Sequence, residues 1–232
     1  MRDVFIAGVG QTAVNKDPQS RGRYLGAAAV KDALADAGIE AVTVEAACAS
    51  GGAAVRMAYQ AVAGGIHDVV AVCGVERMTH VERARCHIAL ATAADWELEG
   101  VCGESFLSLN ATLMRTYMAR HGVASERFAP FAITAHRNAL TNPNALLHKP
   151  LDLPTYLQSR VITDPIRLFD VSPVCNGASA VILAAPHVAE SLQGRCRVRI
   201  AGSGAATAPL ALARRPDPLV LTAVTRSTQK AL

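Results

Sequence analysis

The sequence AVTVEAACASGGAAVRMAYQAV, residues 41–62, indicates how this chain folds. Its first part, Ala41 to Ala47, is short and apolar, as expected for a buried strand. Its last part places apolar residues at helical spacing, so we predict a helix from Gly51 to Ala63 that ends at Gly64 and Gly65. Small residues join the two elements, and we expect them to form a tight strand-to-helix turn.

Cys48 stands in that turn, immediately before the predicted helix. Unpaired backbone N–H groups and the helix dipole favour an anion at such a position, and the thiolate is the nucleophilic form of cysteine. The small neighbours leave space for a substrate and for amides that face a developing oxyanion. These features predict that Cys48 is the nucleophile of a covalent acyl transfer. The alternative is a small buried residue with a structural role.

The composition favours a globular α/β protein. The 232 residues are 51% hydrophobic and 18% charged, with only 4% aromatic residues, so the chain is able to bury a sizeable core. The net charge of +4 is modest, and no basic block with interleaved aromatics predicts nucleic-acid binding. The six cysteines form no C-x-x-C pair, so we expect no metal site. With neither a signal peptide nor a bilayer-spanning apolar run in sight, we expect a cytoplasmic protein.

Strands and helices alternate in the first third of the chain. We predict strands at Val4–Val9 and Asp68–Cys73 and a helix at Arg23–Ala37, in addition to the elements around Cys48. This alternation predicts a parallel sheet with helices on its faces. The Gly8-x-Gly10 pair lacks the third glycine of a dinucleotide-binding loop, which makes an oxidoreductase a distant alternative.

The pattern becomes helical between Thr79 and Pro173. We predict a helix from Phe106 to Arg120, closed by His121 and Gly122, and a second helix capped by Ser125 that runs to about Leu140. The apolar face of the second helix is predicted to contain Phe128, Phe131, Ala132 and Ala135. Further strands are expected at Ala178–Ala184 and Arg197–Ala201, and a last helix from Leu219.

Four segments in this order resemble the thiolase superfamily, and most closely its sterol-carrier-protein-type and archaeal-type acetyl-CoA acetyltransferases. The segments are DVFIAGVGQT (3–12), VEAACASGGAA (44–54), GVERMT (74–79) and FDVSPVCNGASA (169–180). The resemblance implies an α/β fold with α-β-α-β-α layers and an inserted helical loop domain. Residues 1–78 and 166–193 would form the N-terminal domain, 79–165 the inserted domain, and 194–232 the start of an incomplete C-terminal domain.

Two departures from the family pattern stand out. The resemblance implies histidine-bearing H-D-x-F and G-H-P segments in a second half, and neither segment occurs in this chain. It also implies an additional strand and helix between Glu40 and Ala41. We expect that residues at both places are missing from this sequence, since a core sheet without an internal strand would expose unpaired backbone.

The resemblance assigns roles to particular residues. Cys48 would carry the acyl group of an acyl-CoA, which makes coenzyme A a substrate and requires no further cofactor. Phe106 and Leu107 would lie near the acyl group, or else be core residues of their helix, and Cys175 would be structural. Family members form homodimers or tetramers, so the resemblance implies a homo-oligomer.

Two other functions remain open on the same fold. Some thiolase-like proteins are aldolases, or lyases, that act on CoA-linked side chains and pair with a small OB-fold or zinc-ribbon partner. Cys48 argues against this, because an aldolase needs no acyl-thioester nucleophile. The other alternative is a non-catalytic thiolase-like subunit of a larger assembly.

Overall fold

The computed structural model describes residues 1–11, 14, 16, 40–192 and 198–232. Within these residues the helices are α1 (Ser50–Ala63), α2 (Arg83–Ala91), α3 (Phe106–His121), α4 (Ala129–Ala139), α5 (Leu153–Gln158), α6 (Pro186–Ser191) and α7 (Thr222–Ala231). The strands are β1 (Phe5–Gln11), β2 (Val69–Arg77), β3 (Val161–Thr163), β4 (Ile166–Arg167), β5 (Asn176–Ala184) and β6 (Val198–Arg199). A π-helical turn covers Trp96–Gly100. The predicted helix Arg23–Ala37 lies outside the described residues.

The chain divides into two compact units. Unit 1 contains Met1–His80 and Cys175–Ala201, and unit 2 contains Val81–Val174 and Gly202–Leu232. Each unit is described by itself below. The domain boundaries that the sequence analysis gave, with 79–165 as an inserted domain, stay a prediction.

A four-stranded sheet in the order β2-β5-β1-β6 is the frame of unit 1. Adjacent strands are antiparallel throughout, so the predicted parallel sheet is wrong for neighbouring strands. Strands β1 and β2 do run in the same direction, as the alternation of strands and helices predicted. The difference arises because β5, from much later in the chain, lies between them and runs the opposite way.

Helix α1 covers one face of this sheet. Its buried residues Ala58 and Val62 pack with Val4 and Leu183, and Val62 and Leu183 are fully buried. Alternate strand residues such as Val70 and Val72, and likewise Val181 and Leu183, belong to this contact because side chains alternate between the two faces of a sheet. Burial of each large aliphatic side chain contributes about 1.5–3 kcal/mol.

Arg2 fixes the C-terminal end of α1. Its Nε donates to the carbonyl oxygen of Val62 at 2.5 Å, and its backbone N–H donates to the carbonyl oxygen of Ala63 at 3.1 Å. The guanidinium also contacts the Asp68 carboxylate at 2.7 Å. A cation at this end complements the helix dipole and satisfies carbonyl groups that have no partner within the helix.

The predicted strand Ala41–Ala47 is not formed. Residues 40–46 have no regular secondary structure, and Val42 is 66% exposed. The local backbone donors go to side chains nearby: the N–H of Ala46 donates to Ser50 Oγ at 2.8 Å, and the N–H of Ala47 donates to Glu45 Oε1 at 2.6 Å. Short-range bonds of this kind compete with a sheet ladder, and among the described residues the segment has no neighbouring strand.

The first predicted helix of unit 2 is confirmed as α3. It begins with a reciprocal pair of hydrogen bonds between Ser105 and Ser108, in which each hydroxyl accepts from the other residue's backbone N–H. It ends at Gly122, which adopts φ +61° in the left-handed region. A glycine takes this conformation at little cost, and this explains the end of the helix.

The second predicted helix is present, with a corrected start. Residues Ser125–Phe128 form a 3-10 turn before α4, and the helix ends next to Leu140 as predicted. Ser125 does not cap it, because its hydroxyl lies 3.3 Å from the Glu126 carboxylate instead.

The apolar face of α4 agrees with the prediction at Ala132 and differs from it at Phe131 and Ala135. Phe131 is 76% exposed, whereas Ala129 and Ala132 are buried against Leu151 and Tyr156. The small alanines allow α4 to approach Tyr156 closely, and this packing decides which side of the helix faces inward.

Tyr156 is the largest fully buried side chain of unit 2. Its hydroxyl donates to the Asp170 carboxylate, with distances of 2.9 and 3.1 Å to the two oxygens. Asp170 also accepts the backbone N–H of Arg167 at 2.8 Å. Burial, followed by the bond to Asp170, raises the pKa of Tyr156 above its ordinary value.

The C-terminal residues are tied into unit 2 by two polar contacts. The buried carboxylate of Glu99 accepts the backbone N–H of Leu212 at 2.6 Å. Arg120 donates to the Asp217 carboxylate at 2.7 Å, and this hydrogen bond lowers the pKa of the Asp217 carboxyl. The predicted last helix is present as α7, although it begins at Thr222 rather than Leu219.

A close approach of two backbones also characterises this region. A Cβ atom added to Gly202 would overlap the carbonyl oxygen of Ala231, and one added to Gly204 would overlap that of Ser227. Both carbonyls belong to α7, so the absence of a side chain at the two glycines lets residues 202–204 lie directly against that helix.

The variant Tyr156→Phe should lose about 2 kcal/mol of unfolding free energy, because a buried hydrogen bond to a carboxylate is removed.

The parent protein should also lose stability as the pH rises above about 10, the ordinary pKa of tyrosine. The raised pKa favours the neutral phenol in the folded state, and that advantage disappears as the phenol ionises. Urea unfolding at several pH values measures both effects. Tyr156→Phe should lose this pH dependence. Tyr117→Phe, where the ring is 42% exposed, keeps Tyr156, so it should lose little unfolding free energy and should keep the pH dependence of the parent. An equal loss of unfolding free energy in Tyr117→Phe would contradict the assignment.

Gly202→Ala should destabilise unit 2 by about 1–3 kcal/mol, because the new methyl group meets the backbone of α7. Amide hydrogen exchange over residues 222–231 should become faster in this variant. Gly52→Ala is the matched control, since a Cβ atom at Gly52 meets nothing within 4 Å. Unchanged exchange in Gly202→Ala would show that the close approach is not required.

Candidate active site

Cys48 lies in a 3-10 turn, Ala47–Ala49, that leads directly into α1. Its side chain is a free, exposed thiol. The position at the start of the helix agrees with the sequence analysis, although the residues before it form no strand. The side chain is therefore accessible, and the nucleophilic role of Cys48, as opposed to a structural one, stays a prediction.

The residue before Cys48 has an unusual backbone. Ala47 adopts φ +49°, in the left-handed region that residues other than glycine rarely occupy. Such a conformation costs roughly 1–2 kcal/mol and persists where surrounding contacts hold it. The chain therefore turns sharply at Ala47, immediately before the exposed side chain of Cys48.

The N-terminal end of α1 is open. No side chain caps the helix at Ala49, and no acidic residue lies in its first turn. Gly51 and Gly52 are exposed, with nothing within 4 Å of a Cβ atom at either position. A helix start leaves backbone N–H groups without a partner inside the helix, and such groups beside an exposed thiol suit a substrate that develops negative charge.

Two nearby amides are already used within the turn. The N–H of Ala49 donates to the carbonyl oxygen of Ala46 at 3.0 Å, and the N–H of Ser50 donates to that of Ala47. The expected contact between backbone amides of this turn and a developing oxyanion stays a prediction.

Phe106 and Leu107 lie in the first turn of α3 in unit 2. Both are partly buried, and the Ser105–Ser108 pair fixes the helix start beside them. Partial burial fits a residue that lines a pocket as well as a residue of a helix interface. Their predicted contact with an acyl group stays a prediction.

Asn176 is a buried polar residue that the sequence analysis passed over. Its amide donates to Thr79 Oγ1 at 2.7 Å, and its side-chain oxygen accepts the backbone N–H of Thr79 at 3.1 Å. These bonds join the two positions where the chain leaves unit 1 and returns to it. Cys175, predicted to be structural, immediately precedes Asn176 and is partly buried.

The N-terminal domain model of the thiolases, described as "Thiolase, N-terminal domain", matches residues 7–160. An acetyl-CoA acetyltransferase of Methanothermobacter thermautotrophicus is 36% identical over 221 residues, which cover 94% of this chain and 57% of that protein. This chain belongs to the thiolase family.

Other thiolase relatives extend this result. An acetyl-CoA acetyltransferase of Methanocaldococcus jannaschii is 36% identical over 83% of this chain and 49% of its own length. Sterol carrier protein 2 of Gallus gallus is 29% identical over 79% of this chain and 41% of its own. These matches confirm the resemblance to the sterol-carrier-protein and archaeal types. The chain spans about half the length of these curated relatives.

The thiolase-like fold is confirmed by a solved structure named "Ltp2-ChsH2(DUF35) aldolase". It matches with a TM-score of 0.75 and 24% identity, covering 98% of this chain and 68% of that one. The confirmed fold class is α/β, with the helical segments between residues 81 and 174 in unit 2.

Two features are absent from the part of the thiolase chain that the structure describes. No three histidine, cysteine, aspartate or glutamate side chains there are grouped as metal ligands would be. Nor does any helix among those residues have the length and apolar character needed to cross a bilayer.

Proposed function

We propose that this chain is the nucleophile-bearing part of a thiolase-type acyl-CoA acyltransferase that forms or cleaves 3-ketoacyl-CoA. The observation that supports this most directly is the exposed Cys48 thiol at a sharp turn before the open end of α1. The names of the archaeal relatives, both acetyl-CoA acetyltransferases, agree with it.

The covalent step would begin with the thiolate of Cys48. Its Sγ attacks the carbonyl carbon of an acyl-CoA, so that a new S–C bond forms and a tetrahedral oxyanion develops. The bond from that carbon to the sulfur of coenzyme A then breaks, and coenzyme A leaves with the proton that Cys48 gave up. Splitting the reaction through this thioester replaces one difficult step by two easier ones.

The carbon–carbon step needs groups that this chain does not supply. A second acyl-CoA must lose an α-proton before its carbanion attacks the Cys48 thioester. The histidine segments that the family uses are not in this sequence. We therefore expect this chain alone to accept an acyl group slowly without forming a carbon–carbon bond.

Substrate contacts and partners are part of the same proposal. Phe106 and Leu107 would line the acyl site, coenzyme A would be substrate rather than cofactor, and the protein would act as a homodimer or tetramer in the cytoplasm. A small OB-fold or zinc-ribbon partner is a further option. It is supported by the name of the structural neighbour, which includes a DUF35 component.

A second candidate is an aldolase, or lyase, that cleaves CoA-linked side chains. The 17-hydroxy-3-oxo-4-pregnene-20-carboxyl-CoA lyase of Mycobacterium tuberculosis is 29% identical over 82% of this chain and 59% of its own length. A retro-aldol reaction forms no acyl thioester on the enzyme, so the use of Cys48 separates the two candidates. A non-catalytic subunit would neither form an acyl thioester on Cys48 nor cleave a CoA-linked side chain.

Incubation of the purified chain with acetyl-CoA should add one acetyl group at Cys48, as measured by peptide-resolved mass spectrometry. Cys48→Ala should abolish this label, since the acyl-accepting sulfur is removed. Cys102→Ala, which removes another exposed thiol, should leave it unchanged.

Acetoacetyl-CoA should not form in this mixture. An absence of label on Cys48 in the parent chain would contradict the acyltransferase proposal and favour the lyase or the non-catalytic subunit. Formation of acetoacetyl-CoA would show that the carbon–carbon step does not need the second-half segments.

A further inference from the structure

Two side chains bind the backbone of the turn that carries Cys48. The Glu45 carboxylate accepts the N–H of Ala47 at 2.6 Å. Ser50 Oγ accepts the N–H of Ala46 at 2.8 Å, and it lies 2.7 Å from the Ala47 carbonyl oxygen and 3.0 Å from Glu45 Oε1, two acceptors that share its single hydroxyl proton. Glu45 and Ser50 are therefore joined to each other as well as to the turn.

These bonds meet at the strained residue. The N–H of Ala47 donates to Glu45, and the carbonyl oxygen of Ala47 accepts from the hydroxyl of Ser50. The N–H of the preceding residue, Ala46, also donates to Ser50. An alanine at φ +49° needs such contacts, because its own preference is for negative φ. Ser50 is also the first residue of α1, so the network links the turn to the helix.

Among the described residues of unit 1, other sources of support for this turn are weak. The buried residues of α1 are Ala58, Val62 and Ala63, all in the second half of the helix. Residues 45–49 are exposed, and no cap side chain from the described residues holds the helix start. Within this part of the chain, the Glu45–Ser50 hydrogen bonds therefore support the turn and hydrophobic packing does not.

We propose that Glu45 and Ser50 are positioning residues that hold Cys48 in the geometry required for acyl transfer, an inference that rests on the proposed function of Cys48. Acyl transfer requires the sulfur, the carbonyl carbon and an oxyanion donor to be aligned. Alkylation of the same thiol by a small reagent requires only an accessible thiolate. Loss of positioning therefore slows acylation and spares alkylation.

The test compares two reagents on the full chain. The rate of acetylation by 4-nitrophenyl acetate and the rate of alkylation by iodoacetamide are measured at Cys48 by peptide-resolved mass spectrometry. Cys102, an exposed thiol in unit 2, is read in the same samples as an internal reference. The activated ester needs no recognition of coenzyme A, so this comparison gives a result whether or not acetyl-CoA labels the protein.

Glu45→Ala and Ser50→Ala should lower the ratio of acetylation to alkylation at Cys48 by roughly tenfold. The ratio at Cys102 should stay the same. Glu45→Gln retains a carbonyl oxygen that accepts the Ala47 N–H, so it should remain within about twofold of the parent. Glu97→Ala, which removes an exposed glutamate in unit 2, is the matched control and should change nothing.

An unchanged ratio in both alanine variants would overturn the proposal, and so would an equal loss in Glu45→Gln. A loss of both rates together, or at both cysteines, would mean that the turn or the fold is disrupted and would likewise count against positioning. Failure of acetyl-CoA to label Cys48 would contradict the acyltransferase function separately, because it concerns a different reagent.

Discussion

The pairing of β5 with both β1 and β2 is the constraint on which unit 1 depends. Position 184 lies opposite Phe5 on one side and Val69 on the other, and the pairing with β2 extends along all nine residues of β5. The chain between β2 and β5 belongs mostly to unit 2, so these two strands pair only when segments that are distant in the sequence come together. Asn176 and Thr79 form hydrogen bonds at the end of this strand pair, and these bonds satisfy a polar side chain that would be costly to bury alone.

This sheet supports the two ends of α1 unequally. Towards the C-terminal end, Val62 packs against Leu183 of β5 and Arg2 binds the last carbonyl groups. Towards the N-terminal end, Gly51 and Gly52 are exposed, and among the described residues no side chain caps the helix. A rigid scaffold that leaves one helix end open is a common way to present a reactive group, because binding sites need exposed polar backbone. The same arrangement leaves the direction of Cys48 to local hydrogen bonds.

Local patterns predicted much of this structure. Helical periodicity and the glycines that follow it were sufficient for α1 and α3, since Gly122 ends α3 in the left-handed conformation that glycine allows. The position of Cys48 at the start of α1 followed from the same reasoning. Predictions that depend on partners far away in the sequence were less successful. The segment from Ala41 to Ala47 has the composition of a strand, yet among the described residues it pairs with no strand, and the N–H groups of Ala46 and Ala47 donate to Ser50 and Glu45.

The predictions of the inward face of α4 and of the direction of neighbouring strands failed in part, for a related reason. The predicted face included Ala132, which is buried, but also Phe131, which is exposed. Tyr156, more than twenty residues further along the chain, packs against Ala129 and Ala132 and so decides the inward face. The position of β5 between β1 and β2 likewise depends on a segment that follows the whole helical region. Glu45 and Ser50 were not recognised because their role depends on a positive φ angle at Ala47, which is unusual for alanine and has no signal in the sequence.

The relatives show why the turn around Cys48 matters more for function than the fold does. Proteins named as acetyltransferases and proteins named as lyases or aldolases both match this chain over most of its length. One fold therefore serves two kinds of carbon–carbon chemistry, and the fold cannot decide between them. An acyl transfer needs a nucleophile that is both accessible and aligned, whereas a retro-aldol cleavage needs neither property at this position. A strained turn with two side chains bound to its backbone is costly to maintain for a residue without a role. The cost is understandable if Cys48 has to be aligned with an acyl group, and this favours the acyltransferase over the lyase.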